Sequence, residues 1–288
     1  MAYDNFNEPL WSSILLHECK AKSVYRADCW EQFKGEIKKQ GDEIVFQNVG
    51  APTVTEFDTE VIGKNPDVPE VEEVPDTALH MKVHKLSMYN FMVGDIDAAQ
   101  ANKDLMKILM TKTAEQVAQN QDKHIASIAK SMQSMWGGTT KKKVVVGTAG
   151  SGEMDVFDIL DMAEEMMRDR NVAESVPLVL NCSNRFFTKV RKALREADTD
   201  NSAILENGRF RRVNNIVVKP SVNCARSDDK STDYLMLRTP YAIGFADGLQ
   251  KQVPYIPQAK LAEAIKGAAL YQAKLLLPDE CLMIPVTY

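Results

Sequence analysis

The sequence lacks the features of secreted and membrane proteins. Acidic residues interrupt the first twenty positions, so no basic stretch followed by an apolar run indicates a signal peptide. No segment approaches the roughly 18 uncharged apolar residues that a membrane-spanning helix requires. The five cysteines are widely spaced and form no CxxC pair, which favours reduced thiols in a cytoplasmic protein over a disulfide framework or a zinc knuckle.

Motifs that carry chemistry are also scarce. The chain has four histidines and no HExxH, Ser/His/Asp or Cys/His arrangement. His80 and His84 would lie about 13 Å apart on a regular strand, too far to share a metal ion. We therefore predict a protein that is not an enzyme and has no catalytic residue, metal or cofactor.

One glycine-rich segment leaves an alternative of a different class open. Gly147–Gly152 (GTAGSG) precedes a predicted helix, where backbone N–H groups and the helix dipole could hold a phosphate. No GK[ST] follows, so the spacing fails the Walker pattern. A flexible connection is the simpler interpretation, and a nucleotide-binding α/β enzyme that uses this loop is the alternative.

What the sequence does contain is ample material for a folded core. Of 288 residues, 44% are hydrophobic and 26% are charged, which is typical of a globular chain. The net charge of −5 argues against a phosphate-neutralising surface as the main feature of the molecule.

A long acidic β-hairpin is predicted near the N-terminus. Glu43–Val49 is rich in β-formers and stops at Gly50-Ala51-Pro52, and a second β-like run covers 80–93 with a change of phase after His84. Between them, prolines and like charges prevent a core from forming. The acidic residues of this segment, against the single lysine Lys64, are Asp58, Glu60, Asp67, Glu70, Glu72, Glu73 and Asp76. We expect an exposed loop at the tip of the hairpin, at about 57–78.

The longest helical pattern follows, over 95–135. Asp95 and Asp97 favour its N-terminus, apolar residues recur every three to four positions, and Gly137-Gly138 ends it. Such a helix would be about 60 Å long, which suits an elongated or plate-shaped subunit.

In the rest of the chain, predicted strands and helices alternate at first and strands follow. We predict a short strand at Val144–Val146, a helix over Met154–Asp169, a buried strand at Val176–Leu180 and a helix over Asn184–Ala197 with a basic outer face. Strands follow in 204–222, 234–249 and Cys281–Val286. Carboxylates of the first of these helices, at Asp161, Glu164, Glu165 and Asp169, are interpreted as its solvated face. The fold class is mixed α/β, of the α+β type.

The order of these elements resembles the tailed-phage major capsid proteins with the Hong Kong 97 fold. Short sequence segments carry the resemblance. The strand before that family's extended loop looks like residues 33–46, from Phe33-Lys34-Gly35 to Val45-Phe46. FMVGDIDAAQA at 91–101 looks like the junction with its long spine helix, and 179–187, 208–221, 242–246 and 264–271 resemble later segments.

The resemblance implies a division of the chain and a function. Residues 1–40 would form an N-terminal arm and 41–93 the extended loop. Residues 94–144 and 246–288 would form the peripheral domain and 145–245 the axial domain. The implied function is a major capsid protein that assembles into an icosahedral shell around a phage dsDNA genome. An encapsulin-type cargo compartment of the same fold is the alternative.

Implied partners are other copies of the chain, in hexamers and pentamers, together with a portal and, as an open alternative, a separate scaffolding protein. The DNA would be enclosed without sequence-specific binding, no membrane would be involved, and assembly would take place in the host cytoplasm. We expect the functional residues to be intersubunit contacts in the arm, the acidic loop and a basic cluster, namely Trp11, Asp58, Glu60, Lys64, Asp67, Glu70, Glu72, Glu73, Arg209, Arg211 and Arg212.

Overall fold

A computed structural model describes residues 23–31, 43–49, 54, 76–94, 105–137, 141–196, 212–258 and 262–288. Within these ranges no helix has both the length and the apolar character needed to cross a membrane. The helices are α1 (Leu105–Ile128), α2 (Val156–Asp169) and α3 (Asn184–Glu196). The strands are β1 (Glu43–Val49), β2 (Asp76–Lys82), β3 (Lys85–Gly94), β4 (Lys142–Val145), β5 (Glu153–Asp155), β6 (Leu178–Ser183), β7 (Arg212–Val213), β8 (Ile216–Ser221), β9 (Ala225–Arg226), β10 (Asp233–Arg238), β11 (Ile243–Tyr255), β12 (Ala262–Leu275) and β13 (Cys281–Thr287).

The predicted hairpin strands are present, but β2 begins at Asp76, so the prediction of a loop as far as about 78 and a second strand from His80 is wrong by a few residues. β1 pairs antiparallel with β2, from Glu43 opposite Lys82 to Val49 opposite Asp76. The second β-like run of the sequence is two strands, because the chain leaves β2 at Val83 and His84 and continues as β3 in another sheet. The change of hydrophobic phase therefore reflects a change of environment.

A three-stranded antiparallel sheet, in the order β11-β12-β3, supports the long helix. Met110, Ala114 and Val117 of α1 pack against Ile265 and Ala269 of β12. Small residues on both surfaces allow this close approach. Gly267 also has no room for a side chain, since a Cβ there would lie 2.3 Å from the ring of Tyr89.

The helix ends earlier than the sequence predicts. α1 stops at Ile128, three residues of 3-10 helix follow, and Ser134 then bridges to Met283 of β13. The prediction of helix as far as 135 is thus wrong at its C-terminal end, because a tertiary contact pulls this segment into extended backbone. Residues 95–104 lie outside the described residues.

The largest sheet has the order β5-β4-β13-β10-β6-β8-β7, and β9 pairs with β10. Every residue of β6 is buried, as expected for a strand covered on both faces. One face carries α2 and α3, whose apolar sides meet Leu178, Leu180, Leu235 and Ile284. The other face, which includes Met283, meets Tyr25, Ile125 and Phe245, so the end of α1, the start of β11 and the residues near Tyr25 converge there.

The C-terminal strand departs from the division drawn from the sequence. β13 lies inside the largest sheet, antiparallel to β10 and parallel to β4. The division placed it with 246–288, apart from 145–245. Its alternate side chains Leu282, Ile284 and Val286 are fully buried in the core of that sheet, and burying them there accounts for the placement.

Candidate functional site

Most of the predicted contact residues fall outside the described residues. These are Trp11, Asp58, Glu60, Lys64, Asp67, Glu70, Glu72, Glu73, Arg209 and Arg211. Arg212 begins β7, and its backbone pairs with Val217 of β8, but its side chain is not described. Their role as intersubunit contacts stays a prediction. The described part of the site consists of the residues at the base of the hairpin and next to the N-terminal arm.

The base of the hairpin is packed against the three-stranded sheet. Ile44, Met81 and Val83 form a small core with Ala246 and Leu270. The ammonium group of Lys274 donates to the carbonyl of His80 over 2.7 Å. The hairpin therefore leaves the body from a fixed platform.

Residues 23–31, which we call the anchor segment, are bound by the carboxylate of Asp122 on α1. The backbone N–H groups of Val24, Tyr25 and Arg26 donate to its two oxygens over 2.9, 3.2 and 3.4 Å, and the hydroxyl of Ser23 donates as well. Burial raises the pKa of Asp122, and these hydrogen bonds oppose the shift without cancelling it. One buried carboxylate thus holds a complete turn of chain.

Arg26 ties the anchor segment to β11. Its side chain is fully buried and makes ion pairs of 2.7 Å with Asp247 and 2.8 Å with Glu31. The guanidinium carbon also lies 4.7 Å from the centre of the Phe245 ring, a cation–π geometry. A buried arginine with two carboxylate partners fixes the orientation of the segment, because an unpaired charge at this position would be costly.

Arg238 ties the same segment to the largest sheet. It is fully buried at the end of β10 and donates over 2.7 Å to the carbonyls of Tyr25 and Asp28. Lys219 of β8 adds an ion pair of 2.6 Å with Asp28. The anchor segment is consequently bound to α1, β11, β10 and β8 at once.

The anchor segment also meets the base of the hairpin. The backbone of Trp30 bridges to Gly244 of β11, and its ring lies 6.5 Å from that of Phe46 in β1. The base of the hairpin and the anchor segment therefore lie next to each other. This junction was not predicted from the sequence. The available signals were charged residues beside apolar runs, such as Arg238 after Leu235-Met236-Leu237 and Asp247 after Ile243–Ala246.

The glycine-rich loop holds a carboxylate of its own chain. Asp155 accepts from the N–H of Gly147 over 3.0 Å and caps α2 by accepting from the N–H of Phe157 over 3.3 Å. Its negative charge occupies the helix N-terminus and would repel a phosphate there. The geometry weighs against the nucleotide-binding alternative.

The outer face of β3 is an exposed apolar row. Leu86, Met88 and Met92 are 42, 77 and 48% exposed, while Tyr89 and Phe91 point to the opposite face and pack towards α1. Within the described residues β3 pairs only with β12, so it is an edge strand of its sheet. Apolar side chains on an edge strand are typical of a protein contact surface.

Comparisons with known proteins define the fold. No family model and no curated protein matches the chain. Solved structures do match, and they include phage capsids and a virus-like particle. A structure from Mycobacterium phage Che8 has 19% identity and a TM-score of 0.66, and the match covers 91% of this chain and 90% of that one. The mature capsid of bacteriophage PhiM1 has 14% identity and a TM-score of 0.64, covering 92 and 87%. A virus-like particle from Pyrococcus furiosus has 12% identity and a TM-score of 0.55, covering 98 and 99%.

These matches extend over nearly the whole chain. The chain has the mixed α+β fold of the phage capsid structures, which confirms the fold predicted from the sequence resemblance.

Proposed function

We propose that this chain is a major capsid protein, which assembles with copies of itself into an icosahedral shell around a phage dsDNA genome. The observation that carries the proposal is the fold match to phage capsid structures over about nine-tenths of both chains. Its role is structural and not enzymatic. Its place is the virion capsid, after assembly in the host cytoplasm.

The features at the base of the hairpin support this function mechanically. A shell is stable when each subunit makes several modest contacts that symmetry repeats. Such contacts require segments that reach a neighbour and are firmly held at their base. The platform of Ile44, Met81 and Leu270 satisfies the second requirement. So does the anchor segment, which Asp122 and Arg238 bind and whose own Arg26 pairs with Asp247.

We propose that the acidic loop reaches the neighbouring copy. The hairpin of 43–93 would lie across the adjacent peripheral domain, and the arm with Trp11 would add contacts. The exposed row of Leu86, Met88 and Met92 offers an apolar surface for such a contact. Arg209, Arg211 and Arg212 are the proposed basic partners of the acidic loop, which would make assembly sensitive to salt.

Further partners follow from the same proposal. A portal would occupy one vertex, and a separate scaffolding protein remains open. DNA would be held by enclosure, without base recognition. The division into a peripheral domain and an axial domain at 145–245 stays part of the proposal, with β13 added to the sheet of the axial part.

An encapsulin-type compartment with protein cargo is the second candidate. The match to the virus-like particle from Pyrococcus furiosus favours it, since it covers almost all of both chains, although its TM-score is lower. Portal and terminase genes beside the gene of this chain would indicate genome packaging, and a gene for a cargo enzyme would indicate the compartment.

Electron microscopy of the purified protein tests the proposal. We expect closed shells or tubes. A discrete small species that binds and turns over a nucleotide would contradict it and favour the enzyme alternative.

A further inference from the structure

The two helices on the outer face of the largest sheet carry opposite charges. α2 and α3 pack side by side, and the apolar sides of both are buried in one core. α2 lies against β5 and β13, whereas α3 lies against β6 and β8. Since the sheet order separates these pairs of strands, the two helices cover different halves of it.

The exposed face of α2 is acidic. Asp158, Asp161, Glu165 and Asp169 follow one another at three- to four-residue steps and are exposed, so they form one stripe along the helix. Met162, which is 40% exposed, lies beside them. We call this set the acidic stripe.

The exposed face of α3 is basic. Arg185, Lys192 and Arg195 are exposed at steps of seven and three residues, which keep them on one side of the helix. Lys189 and Arg191 are half-buried beside them. We call this set the basic stripe. Five positive charges on one 13-residue helix are conspicuous in a chain whose net charge is −5.

Two side-chain contacts among the described residues involve carboxylates of α2. Glu164 pairs with Arg168 on the same helix over 3.4 Å, and Asp161 accepts from the side chain of Asn214 over 2.7 Å. With respect to the described residues, the carboxylates of Asp158, Glu165 and Asp169 are exposed.

We propose that the basic stripe of one copy docks against the acidic stripe of the next copy. This inference rests on the proposed function, because it names one contact within the shell. Two different complementary patches on one subunit produce head-to-tail association, and such a contact closes into a ring when the rotation between copies allows it. When two copies lie side by side, α3 of one copy can face α2 of its neighbour, because the two helices cover different halves of the sheet.

A second copy fits these surfaces better than nucleic acid does. The acidic stripe lies next to the basic one and would repel a polyanion laid across the helices, whereas the same arrangement is self-complementary between copies. Charge complementarity also disfavours wrong registers, since like stripes brought together would repel.

Paired charge reversals test the proposal. The variant Arg185→Glu/Arg195→Glu should still fold, as judged by circular dichroism and thermal melting. Its yield of assembled particles in sedimentation should fall at least about tenfold, because like charges then face each other. The variant Glu165→Lys/Asp169→Lys should show the same loss.

Restoring assembly by combining the two charge reversals is the decisive part of the experiment. The quadruple variant, which exchanges the two charges and keeps the net charge of the native chain, should assemble at nearly native yield. A mixture of the two double variants should form six-membered rings where neither variant does alone, because the two can alternate around an even-numbered ring. Five-membered rings cannot alternate, so closed shells are expected only from the quadruple variant. If a reversal impairs folding, Arg185→Gln/Arg195→Gln replaces it, with a smaller loss of yield expected.

Native yield from either double reversal would overturn the proposal. A quadruple variant that stays defective would overturn it too, and would assign the basic stripe to another partner such as the acidic loop. Normal particles that retain less DNA would assign the stripe to nucleic acid. Failure of the native chain itself to assemble would instead contradict the proposed function, so the two failures are distinguishable.

Discussion

Asp122 and Arg238 are buried side chains that bind the nine-residue anchor segment from α1 and β10, and Arg26 within that segment pairs outward with Asp247 of β11. Partners this distant in sequence, such as Arg26 and Asp247 at a separation of 221 residues, cannot be paired from the sequence alone. Charge beside an apolar run indicates that some partner must exist, but only the fold identifies it. Patterns among neighbouring residues were easier to predict from the sequence. The basic face of α3 and the acidic face of α2 were both predicted.

Removing the Asp122 carboxylate should loosen the anchor segment. Asp122→Ala leaves several buried N–H donors without an acceptor, and we expect it to lower the free energy of unfolding by about 3 kcal/mol or more. Asp122→Asn keeps one acceptor oxygen and removes a buried charge, so its loss should be about half as large. Chemical denaturation at pH 7 measures both, and equal losses would contradict this role.

The same residue should give a pH dependence. Because burial raises the pKa of Asp122 above its unfolded value of 3.8, the folded protein takes up a proton there before the unfolded chain does. Its contribution to stability is therefore greatest at low pH and is lost as pH rises through the folded pKa. The stability advantage of the native chain over Asp122→Asn should grow between pH 7 and pH 4.5, measured by denaturation at each pH. An advantage that shrinks on acidification would be inconsistent with a raised pKa.

Gly267 should tolerate no side chain. In Gly267→Ala the new Cβ would meet the Tyr89 ring at 2.3 Å, and we expect a loss of about 1–3 kcal/mol in the free energy of unfolding. Adding Tyr89→Leu should recover part of that loss, since it removes the colliding ring. Thermal melting of the single and double variants measures this, and additive losses would show that the ring is not the cause.

Among the elements, those with strong local patterns were predicted well. β1 has the predicted bounds and α3 begins at the predicted Asn184, because alternation and capping are properties of adjacent residues. The predicted end of α3 at Ala197 lies outside the described residues. The end of α1 was overestimated, since apolar spacing continues to Met132 while a bridge from Ser134 to Met283 extends the backbone. The place of β13 depends on its neighbours β4 and β10, and nothing in its own residues specifies them.

Shortening the hairpin tests its role in assembly. Replacing residues 58–73 with a short Gly-Ser linker leaves intact the β1–β2 ladder of the described residues, which runs from Glu43 opposite Lys82 to Val49 opposite Asp76. We expect a folded subunit that no longer assembles, measured by melting and by sedimentation. A control in which Asp58, Glu60, Asp67, Glu70, Glu72 and Glu73 become Asn or Gln keeps the length of the loop and should show weakened, less salt-sensitive assembly. Normal shells from the shortened chain would remove the hairpin from the assembly mechanism.

The exposed row on β3 makes a second element-scale prediction. Met88 is 77% exposed, so Met88→Asp should change the free energy of unfolding by no more than about 0.5 kcal/mol. The charge should nonetheless block assembly if a neighbour covers this face. Met88→Leu, which keeps an apolar side chain of similar size, is the matched control and should assemble normally. Unchanged particle yield from Met88→Asp would show that the row faces solvent in the shell.

At the scale of the whole molecule, the order of elements was the informative property. A hairpin, a long helix, a central α/β region and returning strands together match capsid structures, although no single motif does and identity is only 19% in the Che8 comparison. Fold persists at such identity because it depends on burial patterns that many sequences satisfy. Contacts between copies depend on particular exposed residues and could not be predicted to the same extent.

The most direct test of the shell account is a cryo-electron microscopy reconstruction of the assembled protein. We predict a closed particle with icosahedral symmetry, in which a neighbouring copy covers Leu86, Met88 and Met92 and the anchor segment of 23–31 stays bound to Asp122. A monomer or small oligomer at high protein concentration, with the β3 row still exposed to solvent, would contradict it.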